Sequence, residues 1–174
     1  DGYYIDAGLE PFAYLDGAGG GGAQATLDAR AYRSLTDSLV LAGRVQLGAL
    51  VGPEAENAPP EFLFYSGGGG TVRGQPFRSL DASYDGRSLG GRSFAGLSGE
   101  LRLGVTEAIS VVGFYDTGFV GADPGFAEGA WHSGAGLGMR YDTTIGPLRL
   151  DVAGPVAGDT GDGVQIYLGI GQAF

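Results

Sequence analysis

Charged side chains in this sequence avoid one side of the extended chain, and no other feature restricts its fold so tightly. Asp6, Glu10, Asp28, Arg30, Arg44, Glu100, Arg102, Asp116, Arg140, Arg149 and Asp151 all stand at positions opposite the aliphatic residues of their segments. The alternation has period two, the repeat of a β-strand, whose successive side chains point to opposite faces. Residues 163–174 show it in its simplest form. Val164, Ile166, Leu168, Ile170 and Phe174 fall on one side, and Gln165, Tyr167, Gly169, Gly171 and Ala173 on the other. The same pattern runs through 3–12, 23–33, 39–51, 95–105, 109–118, 131–141 and 147–153. It predicts an all-β chain of about eight antiparallel strands, with helix nowhere. Arg33 is the exception. It lies on the aliphatic side, beside a turn at Thr36-Asp37, where a long side chain reaches a polar interface.

Both a soluble sandwich and a membrane barrel alternate in this way. In a sandwich the polar face meets bulk water and collects Lys and Glu. Here that face is built from glycine with scattered Arg and Asp that can pair across a lumen, and Gly makes up 36 of the 174 residues. An Arg or Lys on the lipid face of a barrel costs about 2–4 kcal/mol at the midplane, so strict segregation is what a membrane wall requires. The strands have the roughly 9–11 residues that cross the hydrocarbon layer when tilted. Connections also alternate, long near 18, 70, 124 and 158 and short near 36, 106 and 144. Outer-membrane barrels have long outer loops and short periplasmic turns. By this rule both chain ends are periplasmic, Trp131 lies at the outer interface, and Tyr141 and Phe174 at the inner one. The expected fold is an antiparallel transmembrane β-barrel spanning 1–174 as a single domain or half-barrel.

Several function classes drop out. A net charge of -10 gives no electrostatic case for nucleic acid. With 0 Cys there are no disulfides and no thiolate metal sites. The Gly-rich run after Leu15 opens no helix and is followed by no Lys-Ser/Thr, so it is not a phosphate cradle. His132, the only histidine, faces inward while Ser133 faces out, which reads as structural rather than catalytic. Asp159-Thr160-Gly161-Asp162-Gly163 lacks the spacing and closing Glu of a calcium loop. We expect no enzyme activity, no cofactor and no metal. Without an initiator Met or signal peptide, the chain is expected to be a processed product or a fragment.

The long insertion 52–90 contains Leu63-Phe64-Tyr65-Ser66-Gly67-Gly68 and then Val72-Arg73-Gly74. Further on come Phe114-x-Asp116-x-Gly118, the Gly-Ala-Gly-Leu-Gly-Met-Arg-Tyr run ending at Tyr141, and a last strand closing on Phe174. In this order the motifs resemble the BamA/TamA superfamily of outer-membrane assembly barrels, and within it the TamA branch. The resemblance implies the C-terminal half of a barrel of about sixteen strands, with no POTRA domain in this stretch. It implies that 52–90 is an outer loop folding back into the lumen, carrying the docking motif Val72, Arg73 and Gly74. Phe114 and Gly118 belong to the matching strand motif, and Tyr167, Gly169, Gly171 and Phe174 to a terminal signal beside a weakly paired seam. The implied function is to assist insertion of outer-membrane proteins such as autotransporters into the outer membrane of a Gram-negative bacterium. The implied partners are membrane lipid, those clients, a TamB-like periplasmic protein, and the remaining barrel strands or a second chain.

Physical reasoning stands beside the resemblance. An Arg shielded from water needs a carboxylate, and Asp116 and Glu100 face inward on the two strands after the loop. Arg73 is expected to bond one or both, as opposed to remaining a solvated loop charge. Two positions depart from the family pattern. Gln75-Pro76 stands where an aromatic follows the motif, and Gln172 stands where terminal signals often carry an aromatic. The strand pattern is also compatible with a closed eight-stranded barrel and with a short half-barrel that pairs with another chain. A passive pore or structural barrel would show the same alternation.

Overall fold

The computed structural model describes residues 1–15, 20–84, 86–144 and 146–171. The terminal aromatic Phe174, and Gln172 before it, lie outside the described residues. The strands are β1 (Gly2–Ala13), β2 (Gly21–Ser34), β3 (Leu39–Val51), β4 (Ala82–Tyr84), β5 (Arg87–Leu89), β6 (Ser93–Gly104), β7 (Ile109–Gly121), β8 (Gly129–Tyr141), β9 (Leu148–Ala157) and β10 (Gln165–Ile170). Eight of them make one antiparallel sheet in the order β1-β2-β3-β6-β7-β8-β9-β10, while β4 and β5 form a separate hairpin. Each long strand pairs with the next long strand along the chain, so the wall is a meander. Among the described residues β1 and β10 do not pair with each other, and the sheet is open at both edges. It is not a closed eight-stranded barrel.

Two of the short turns share one chemistry. Between β2 and β3 the Thr36 hydroxyl accepts from the Ser38 amide, and Leu35 N–H bonds the Leu39 carbonyl at 2.8 Å. Between β6 and β7 the Thr106 hydroxyl accepts from the Ala108 and Ile109 amides, and Val105 N–H bonds the Ile109 carbonyl at 2.8 Å. A threonine that bonds its own backbone two residues on holds a tight turn without help from the rest of the fold. These turns fix the register that keeps most aliphatic residues of the sheet on one face.

The two faces are inverted relative to a water-soluble protein. Leu41, Leu97, Leu101, Leu137 and Ile166 are exposed, and Leu168 is 80% exposed. On the opposite face Glu100 is 1% and Asp151 0% exposed. A continuous apolar surface of this kind is unfavourable in water and is satisfied by lipid. The aliphatic side chains do not interlock in a dry interior, so a sandwich is ruled out.

The structure departs from the sequence expectation in two places. β9 continues to Ala157 rather than stopping at 153, carried past Pro155 by a bulge opposite Ser133/Gly134. Pro155 lies beyond the last β9–β10 pair, Gln165↔Ala153, where a missing donor is tolerated. The long loop between β3 and β6 also has internal structure. It holds two single-turn 3-10 helices, Ala55–Asn57 and Pro60–Phe62, and the β4–β5 hairpin. Pro60 opens the second turn, where its absent N–H is unneeded. Bridges Phe64↔Gly91 and Ser66↔Leu80 tie the loop to itself. Leu50 packs with Ala55, Ala58 and Leu63, and Phe94 and Val120 pack with Leu80 and Ala82. The loop therefore has its own small apolar core against the ionic face of the sheet.

Replacing Leu97, near mid-strand on the exposed face, with Arg is expected to destabilise the protein in lipid vesicles by about 2–4 kcal/mol. Denaturant titration of Leu97→Arg against the parent measures it. An unchanged midpoint would mean that this face does not meet hydrocarbon.

Candidate functional site

The inner face of β6 to β10 is organised around one arginine that arrives from the loop. Inward positions on the pleat bring together Glu100 and Arg102 from β6, Phe114 and Asp116 from β7, Arg140 from β8 and Asp151 from β9. Arg73 is set among them. Its Nε donates to Asp116 Oδ2 at 2.7 Å and its Nη2 to Asp116 Oδ1 at 2.9 Å, a two-pronged bond. The Arg73 backbone N–H reaches the same carboxylate at 3.1 Å. Nη1 donates to Glu100 Oε1 at 2.6 Å and to Asp151 Oδ2 at 3.2 Å. The guanidinium carbon lies 3.6 Å from the centroid of the Phe114 ring. Arg102 pairs with Glu100 at 2.8 Å, and Arg140 pairs with Asp151 and, at 3.5 Å, with Glu100. Arg73, Arg102 and Arg140 thus balance Glu100, Asp116 and Asp151.

Such a cluster is not a source of net stability by itself. Burying charge costs several kcal/mol per ion, and the pairing roughly offsets it. Its consequence lies in what happens when one member leaves: the others remain buried and uncompensated. Sequence reasoning placed Arg73 with Asp116 and Glu100, and the structure brings all three together. Asp151 and Arg140 were legible only as inward-facing charges.

Glycines on the wall let the loop come this close. A Cβ at Gly118 would stand 2.8 Å from Val72 Cγ2, and Val72 is fully buried. A Cβ at Gly134 would overlap the Arg73 carbonyl. One at Gly136 would stand 2.6 Å from the Phe114 ring. Gly74 itself has φ 91°, in the left-handed region open to glycine, and its own Cβ would strike the Gly154 carbonyl. The glycine-rich ionic face is a bed shaped for backbone contact.

Beyond the motif the chain takes an unexpected course. Gln75 is fully buried, and Phe77 is 78% exposed. Gln75 Nε2 donates to the Ser133 carbonyl at 2.8 Å and to the Ala157 carbonyl at 3.2 Å, and its Oε1 accepts the Thr160 hydroxyl at 3.0 Å. Since Thr160 donates there, it accepts from His132 Nδ1 at 2.7 Å, and His132 Nε2 accepts from Ser66 at 2.7 Å. His132 links Ser66 in the loop to Thr160 in the β9–β10 connection, and both Ser66 and His132 are buried. Ser133, opposite Thr117, is buried next to the bulge in the β8–β9 pairing. At the terminal strand Tyr167 OH accepts the Gly74 N–H at 3.0 Å. Gly169 makes room for Arg149, whose Nε would lie 2.6 Å from a Cβ there. Gly171 has φ 102° just past the strand. Among the described residues no group of His, Cys, Asp or Glu could hold a metal ion.

Residues 1–174 match the Omp85 superfamily domain. The chain belongs to the Omp85 superfamily. Among solved structures this Omp85 chain is similar to BamA from Haemophilus ducreyi lacking POTRA domains 1–3. The TM-score is 0.72 at 20% sequence identity, over 95% of this chain and 37% of the BamA chain. The likeness is one of fold, and this chain spans little more than a third of the BamA chain it matches. The open edges of the Omp85 sheet described above are consistent with that coverage.

Arg73→Ala and Asp116→Ala are each expected to cost about 3–5 kcal/mol, because each leaves buried charge unpaired. The double variant should cost clearly less than their sum. Denaturant unfolding of the four proteins checks this, and simple additivity would show that the two residues do not interact.

Proposed function

We propose that this chain forms the C-terminal half of an outer-membrane assembly barrel, which assists other outer-membrane proteins to insert. The observation that carries the proposal is the buried bond between the loop arginine, Arg73, and Asp116, Glu100 and Asp151 on the wall. It fixes a long loop against the inner face of a lipid-exposed sheet. Val72, Arg73 and Gly74 act as the docking motif, and Phe114 and Gly118 as the wall that receives it. The loop covers inner-face positions that would line a passive pore, which supports the assembly reading over a pore.

The mechanism is physical. β10 has 6 residues and, among the described residues, pairs only with β9, through Gln165↔Ala153 to Ile170↔Leu148. β7 and β8 pair over 13 residues. A short terminal strand leaves a weak seam, and an incoming client strand adds to a sheet edge by main-chain hydrogen bonding. The docked loop keeps the wall in one shape while the seam is worked. Clients of this kind include autotransporters, and a TamB-like periplasmic protein would be the partner of a TamA-type member. The outer membrane of a Gram-negative bacterium is the setting.

The test uses the full-length protein in liposomes and an unfolded autotransporter barrel as client. The parent protein should accelerate client insertion, and Arg73→Ala should lose most of that acceleration. Steady single-channel conductance with no acceleration of insertion would overturn the proposal in favour of a pore.

A further inference from the structure

The departure from the family pattern at Gln75-Pro76 has a physical consequence. Where an aromatic is expected, the chain carries a side chain with two donors and an acceptor, and all are used. Gln75 Nε2 bonds the Ser133 and Ala157 carbonyls, on β8 and at the end of β9. Its Oε1 accepts from Thr160, in the connection between β9 and β10. Pro76 lies over Gly161 in the same connection, where any Cβ would overlap the proline ring. The Gly74 N–H donates to Tyr167 of β10 at 3.0 Å, and the Tyr167 hydroxyl faces the Gln75 carbonyl at 3.4 Å. The ring of Tyr167 packs over Gly69 and beside Val112, Phe114 and Ala153.

Apart from the bond to Ser133 on β8, these bonds reach one structural unit, the hairpin β9–β10 with its connection. Among the described residues, β10 pairs with the rest of the sheet only through β9. We propose that residues 74–76 and Tyr167 clamp the terminal hairpin to the docked loop, so that undocking the loop and loosening the β10 edge are one coupled event. Tyr167 is the positioning residue on the strand and Gln75 its counterpart on the loop. This rests on the reading of Arg73 as the group that docks the loop, but not on the insertase activity. The coupling is reciprocal, as any linkage between two equilibria is. An occupant that reshapes the β10 edge weakens loop docking by the same factor that undocking weakens the edge. The ion cluster alone would not produce this, because among the described residues Arg73 bonds β6, β7 and β9 and no residue of β10.

Hydrogen exchange on the full-length protein in lipid tests the coupling. Two sets of amides are followed: those of β10 bonded to β9, and those of Ser66 and Leu80, which pair within the loop. Tyr167→Phe removes one hydroxyl and keeps the ring. It should speed β10 exchange about three- to tenfold, the effect of losing one or two hydrogen bonds. Gln75→Ala should do the same. Arg73→Ala should speed exchange at both sets in the parent, but add nothing at β10 once Tyr167→Phe and Gln75→Ala are present together. If Arg73→Ala speeds β10 exchange by the same factor in both backgrounds, the clamp is overturned. Unchanged β10 exchange in Tyr167→Phe and Gln75→Ala would overturn it too. Failure of the docking reading looks different: Ser66 and Leu80 would then be insensitive to Arg73→Ala. Insertion activity does not enter either readout.

Discussion

A single guanidinium, taken out of water and surrounded by carboxylates, imposes most of the order on this chain. Arg73 lies buried on the inner face of the sheet against Asp116, Glu100 and Asp151, and removing any member of this set leaves buried charge with fewer partners. Each therefore requires the others, across four separate stretches of sequence. The requirement is directional as well as electrostatic, since the fork of Arg73 meets both oxygens of Asp116. The loop that carries the arginine has a defined position because that fork does.

Everything around the cluster accommodates this arrangement. The leucines and isoleucines that would cover such a cluster in a soluble protein point the other way, into lipid. The inner face is instead surfaced by glycines, so that loop backbone rather than side chain shields the charges. Gly134 against the Arg73 carbonyl is the closest of these approaches, and Gly118 lies against Ser66 and Val72. A glycine-rich strand is intrinsically weak, and here the loop supplies part of the packing that missing side chains do not.

The wall was legible in the sequence because its signal is simple: a period of two, repeated, with charges excluded from one side. The segments read as strands at 39–51, 109–118 and 131–141 appear as Leu39–Val51, Ile109–Gly121 and Gly129–Tyr141. The clear alternation stops at 153, and the bulge in the pairing that carries β9 on to Ala157 is not visible in one sequence. The inside of the long loop was illegible for another reason. It has no period, and its 3-10 turns and small hairpin depend on packing against Leu50, Phe94 and Val120. At the site, the facing of Asp116 and Glu100 could be read from alternation. The convergence of Asp151 and Arg140 depends on the registers of three strand pairs, which alternation does not specify. Gln75 looked like a lost aromatic, and its burial and bonds to β8 and the β9–β10 connection follow from the path of the loop.

The central claim is that the loop lies docked in the intact protein, and the chain's 0 cysteines make it directly measurable. Val72 is fully buried beneath the wall and Phe77, five residues later, is 78% exposed. A membrane-impermeant thiol reagent should label Phe77→Cys rapidly and Val72→Cys hardly at all in the full-length protein in its membrane. Equal labelling of the two would contradict the account.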